Sequence, residues 1–198
     1  LDVYLPAKRD EKTPFILLIH GGAWVAGDKS DMNGIQQSLL KNGIASVSMN
    51  YRYAGAGVTY KELMDDVKQA LMYCKNKSGS WKIRSDKYLL GGASAGAHMA
   101  LLYGYNYDNE NLITGIISAA GPTDLTDIGW LNYAAIIAQL PNIQKMVGAQ
   151  YVPGQSLDPA FAAASPMEHI KNIPTLLFHG DQDAVVFYDH SVRLAAAL

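Results

Sequence analysis

Phe15-Ile16-Leu17-Leu18-Ile19 is an unbroken apolar run of strand length. A strand takes this form when both faces of its sheet are covered. Similar runs recur at 44–49, 87–90, 113–119 and 174–178. Between them lie stretches of helical period. Met32 to Asn42 reads as a helix that Gly43 stops. Leu63, Val67, Ala70, Leu71 and Cys74 share one helical face, with Asp65, Asp66, Lys68 and Lys75 turned away from it. Another helix is expected from Ala95 to Tyr103, and a last one from near Tyr188. Parallel neighbours need crossover connections, and those are right-handed almost without exception. The alternation therefore predicts an α/β fold: a doubly wound, mostly parallel sheet with helices on both faces.

The regular pattern fails between Asp124 and Ala164, which contains no clear strand. Trp130, Leu131, Tyr133, Ile136, Ile137 and Leu140 give it helical apolar content until Pro141 intervenes. Long insertions between strands are usually functional. The segment is read as a helical cap or lid within a single domain of residues 1–198, or as a helix that completes the cover of the sheet.

Composition narrows the partners. The net charge of −2 offers no basic field for nucleic acid. No apolar run reaches the roughly 18 residues of a membrane span. Cys74 is the single cysteine, which excludes an internal disulfide, and it falls on a core face. The histidines show no metal-ligand spacing, and no cofactor is implied. The chain opens on a strand-like LDVYLP and stops inside a helical pattern, so it reads as cut at both ends. Localisation (cytoplasmic, secreted or periplasmic) and oligomeric state stay open.

Three segments at the ends of expected strands carry chemistry. In Gly92-Ala93-Ser94-Ala95-Gly96 a serine stands among the smallest side chains, after a strand and at the start of a helix. A bend this tight needs glycine on either side, and it lifts the hydroxyl clear of the sheet above a helix N-terminus. Ser94 is the expected nucleophile. His20-Gly21-Gly22-Ala23-Trp24 follows the first apolar run. Acyl transfer builds an oxyanion, which needs amides already aimed at it, and the expected donors are those of Gly22, Ala23 and Ala95. In His179-Gly180-Asp181-Gln182-Asp183, Asp181 reads as a turn residue, and Asp183 is the expected carboxylate that orients the base. Trp24 and Trp130 are candidates to line the substrate pocket, with a structural role as the alternative.

With "HGGAW", "YRY" (Tyr51-Arg52-Tyr53), "GGASAG" and "HGDQDAVV" together, the chain resembles the α/β-hydrolase superfamily. Within it the chain resembles the carboxylesterase branch, which includes hormone-sensitive-lipase-like and feruloyl- or acetyl-esterase-like enzymes. The resemblance implies a serine hydrolase that cleaves small carboxylic esters through an acyl-enzyme. A ligand-binding module of the same fold, or a serine peptidase, is the alternative.

The resemblance also implies a histidine some tens of residues after the acid, in the order Ser…Asp…His. None of the five histidines fits. His20 belongs to the amide loop and His98 lies one helical turn past Ser94. His169 reads as surface, His179 as core, and His190 follows Asp183 too closely. The base is expected beyond Leu198, and these 198 residues alone are expected to hydrolyse esters only slowly.

Overall fold

Each apolar run becomes a strand. The computed structural model describes all 198 residues. Its six strands are β1 (Asp2–Tyr4), β2 (Phe15–Ile19), β3 (Ala45–Met49), β4 (Tyr88–Ala93), β5 (Ile113–Ala119) and β6 (Thr175–Phe178), ordered β1-β3-β2-β4-β5-β6 across one sheet. Only the short β1 runs antiparallel to its neighbour. All five residues of β2 are buried, as are all five of β3, because helices cover both faces at these central strands. Helix α1 (Asn33–Lys41) lies over Ile16 and Leu18, while α2 (Tyr60–Trp81) and α3 (Ala95–Leu102) cover Leu17 and Ile19. The side chains alternate between faces as strand geometry requires. The helix expected over 32–42 begins later, since Asp28 caps a separate 3₁₀ turn at Lys29–Met32.

The order places a topological switch at the centre. From β2 the chain moves to β3 on one side, then returns past β2 to β4 on the other. Loops leaving β2 and β4 therefore diverge and leave a crevice between the strands' carboxyl ends, where ligands bind in open α/β sheets. The register sets Ile19 beside Gly92, so the segments that begin at His20 and Ser94 emerge side by side.

The 124–164 insertion contains three helices rather than one: α4 (Ile128–Ile136), α5 (Leu140–Val147) and α6 (Pro159–Ala163). Pro141 begins α5 instead of ending a helix, which suits a residue that lacks an N–H at a position where none is needed. Trp130, Leu131, Ile143, Met146 and Phe161 are buried in the same apolar cluster as the sheet. The last helix, α7 (Asp189–Ala197), is clamped to the insertion's start by Arg193, which pairs with Asp124 and Asp127, each at 2.7 Å. Cys74 is buried. No helix is long and apolar enough to cross a membrane.

Candidate active site

Ser94 is the residue between β4 and α3, and its backbone sits at φ 51°, ψ −119°. A non-glycine residue with this geometry is strained by about 1–3 kcal/mol and persists only where its surroundings impose it. Here the surroundings are backbone. The Ser94 amide donates to Ala119 O at 2.7 Å on β5, and its carbonyl accepts the first bond of α3 from His98 N at 3.0 Å. A β-carbon on Gly92 would come within 2.3 Å of the Gly96 carbonyl group, so no larger residue could close the bend. Ser94 is half-buried, and its hydroxyl holds no hydrogen bond within the chain.

The loop after β2 lies directly against this serine. A β-carbon placed on Gly21 would be 3.4 Å from Ser94 Cβ. Beyond it, Gly22, Ala23 and Trp24 adopt positive φ in succession, at 117°, 49° and 63°. Backbone that turns this way points consecutive amides into one concavity, which is suited to an anion. The Gly22 and Ala23 amides make no hydrogen bond within the protein. The Ala95 amide is likewise free, because the first residue of a helix has no intrahelical acceptor. The three amides expected from the motifs are thus all uncommitted, on two adjoining loops.

Residues of the YRY and HGGAW motifs, to which no catalytic role was assigned, hold the loop. Tyr51 Oη donates to His20 O at 3.2 Å, and Tyr53 Oη donates to Gly27 O. Spaced by two after a strand, both tyrosines turn to the same side, and that spacing was the available signal. His20 Nδ1 donates to Gly21 O at 2.6 Å, with its ring stacked on Tyr51. Gly27, at φ 98°, leaves no room for a β-carbon beside Gly21 O.

Asp183 follows β6. Its Oδ1 accepts from the amides of Val185 and Val186 at 2.8 and 2.9 Å, leaving Oδ2 with only His179 Nε2 at 3.6 Å. Asp181 is exposed. Helix α4 grips the same loop, with Trp130 Nε1 donating to Val185 O at 3.0 Å and Tyr133 Oη to Ala184 O at 2.9 Å. Only β5 separates the strands that carry Ser94 and Asp183, a spacing of about 10 Å across the sheet.

Both tryptophans expected as pocket candidates are 3% exposed. Trp24 Nε1 donates to His98 Nδ1, and Trp130 Nε1 to Val185 O. Each indole is a brace between segments, not a wall of an open cleft. A cleft of about 530 Å³ is lined by Gly55, Ala56, Thr59, Gln144 and Lys145, with no residue of the serine bend or the amide loop, and Ala54 N beside it donates to Trp24 O.

No histidine side chain bonds to Ser94. His98 is buried between Trp24 and Ala164. His169 reaches Ala163 O, and His179 lies between Ser191 and Val186 O. His190 accepts the Thr123 and Asp124 amides at Nδ1. Burial pushes both His98 and His190 down to about 4, aided at His190 by the nearby Arg193 charge.

A mostly parallel sheet with a strained serine at its switch point defines an α/β hydrolase. The chain belongs to the BD-FAE family, whose sequence model matches residues 1–198. It is similar to the probable carboxylic ester hydrolase LipM of Mycobacterium tuberculosis, with 28% identity over 87% of this chain and 42% of that protein. Esterase LipQ of the same organism is 26% identical over 94% of this chain and 46% of its own length. The chain thus spans less than half of these curated relatives. A bifunctional GH43-CE protein of Bacteroides eggerthii shares the fold, with a TM-score of 0.81 and 24% identity over 99% of this chain and 30% of that one. Both of these curated relatives are named as ester hydrolases.

Proposed function

We propose that the protein is a serine-dependent carboxylic ester hydrolase acting on short acyl, acetyl or feruloyl esters. Ser94 Oγ attacks the ester carbonyl carbon, and its proton passes to an imidazole. The oxyanion that forms lies among the Gly22, Ala23 and Ala95 amides. The same imidazole returns the proton to the departing alcohol, leaving an acyl-Ser94 ester. Water then attacks that ester, releasing the acid and restoring the hydroxyl. Asp183 Oδ2 is the acceptor that would hold the imidazole in the productive tautomer.

One observation carries the reading: a serine on a strained bend lies against a loop whose Gly22 and Ala23 amides, like that of Ala95 beside it, have no partner in the chain. No ring nitrogen of the five histidines in these residues is hydrogen-bonded to Ser94. The second reading is a binding module that keeps the pocket without turnover.

A fluorophosphonate probe separates the two on the full natural chain. Labelling of wild type but not of Ser94→Ala, with hydrolysis of p-nitrophenyl acetate lost in the variant, is the expected result. Labelling of neither protein, with no turnover, would select the binding module. Turnover retained by Ser94→Ala would remove the serine from the mechanism.

A further inference from the structure

We infer that His98 is a positioning residue that sets the amide loop against Ser94 by holding Trp24 in a single hydrogen-bonded arrangement. The inference rests on the role proposed for Ser94.

The two contacts of the ring leave one solution. An indole N–H only donates, so His98 Nδ1, 3.1 Å from Trp24 Nε1, must present its lone pair. A backbone carbonyl only accepts, so His98 Nε2, 2.8 Å from Ala164 O, must carry the proton. The imidazole is therefore neutral and in one tautomer. A second proton would set two donors against each other at Trp24. The ring is fully buried, and burial holds the group well below the ordinary histidine range, so the neutral form persists at neutral pH.

Position gives this bond its consequence. His98 donates its own amide to Ser94 O, one turn along the same helix, so its ring is rigidly related to the bend. Trp24 is the last of the three positive-φ residues that aim the amides, and such backbone holds its shape only when something outside it does the holding. The indole meets the imidazole edge-on at 5.2 Å, and its N–H has no other acceptor. The third partner, Ala164 O, brings the end of the 124–164 insertion to the same ring. A helix anchored at Ser94, the amide loop and the insertion thus meet at one buried imidazole. A shift of the loop by about 1 Å would take amides away from the oxyanion, and displacements of that size can cost about a hundredfold in rate.

The test compares His98→Gln, His98→Phe and Trp24→Phe on the full chain, with Ser94→Ala in parallel. Glutamine can offer an oxygen to Trp24 and an N–H to Ala164 O, whereas phenylalanine fills the space with neither. The expected result is kcat within about fivefold of wild type for His98→Gln. For His98→Phe, kcat falls about ten- to a hundredfold with KM within about threefold, as expected when only transition-state contacts are lost. Trp24→Phe falls to a similar degree, and combining it with His98→Phe costs little more, because both remove one bond. Should His98→Phe fail to fold, Trp24→Phe and His98→Gln still decide the matter. Losses that multiply, a loss confined to KM, or kcat unchanged in Trp24→Phe would overturn the inference. Ser94→Ala that retains activity refutes the nucleophile instead, which keeps the two failures distinct.

Discussion

A β-carbon on Gly96 would lie 2.2 Å from the carbonyl oxygen of Ile19. The first turn of α3 therefore packs onto the end of β2 with no space for a side chain, and that contact draws the serine bend and the amide loop together. Gly96→Ala must push backbone against backbone, which overpacking places at about 3 kcal/mol or more. The expected drop in Tm is about 6–12 °C, with ester hydrolysis lost. Gly79 in α2 provides the contrast, since nothing lies within 4 Å of a β-carbon there. Gly79→Ala is expected to stabilise the helix by about 0.5–1 kcal/mol. Thermal melts of the two variants that moved in the same direction would contradict this account.

Ser94 itself stores strain at φ 51°. Glycine adopts such a backbone without a Cβ penalty, so Ser94→Gly is expected to raise stability by about 1 kcal/mol while abolishing turnover. Ser94→Ala keeps the β-carbon and gains nothing comparable. Urea unfolding of the three proteins reads the difference directly. Equal midpoints would mean that the bend is set elsewhere.

Acid should loosen the fold through two histidines. His98 and His190 are held at about 4 in the folded protein, against about 6.5 in an unfolded chain. The unfolded state therefore binds more protons between those values. The stabilisation is complete above about pH 6.5 and is lost as pH falls toward 4, with a ceiling of about 3 kcal/mol for each ring. Urea midpoints measured at pH 7.5, 6 and 5 are expected to fall in that order. His98→Gln should flatten the slope, because glutamine has no proton to take up. A slope that survives in both His98→Gln and His190→Gln would assign it to other groups.

The strands were readable because burial on both faces removes polar residues from the run, as at Phe15–Ile19. The serine bend was readable for a related reason: Gly92 and Gly96 are where a β-carbon would strike backbone, and composition records that constraint. Bracing partners are different. Nothing in the residue types of Trp24 and His98, or of Trp130 and Val185, states that they meet across 74 and 55 positions of chain. The indoles were therefore equally compatible with a pocket wall. Pro141 misled in the 124–164 segment because the same residue that ends one helix can begin the next.

Trp130 and Tyr133 lie one turn apart on α4, and both donate to the loop that carries Asp183, at Val185 O and Ala184 O. The Val185 and Val186 amides in turn hold Asp183 Oδ1. Removing both donors, in Trp130→Phe with Tyr133→Phe, keeps most of the apolar packing and frees the loop's carbonyls. Each lost bond costs about 1 kcal/mol of stability. If Asp183 orients the base, the larger effect is kinetic. A carboxylate that wanders by a fraction of an ångström orients an imidazole poorly, so kcat is expected to fall about tenfold with KM little changed. Asp183→Asn marks the far end of the same scale, at about four orders of magnitude. A double variant that melts earlier yet keeps wild-type kcat would show that α4 supports the fold without supporting Asp183.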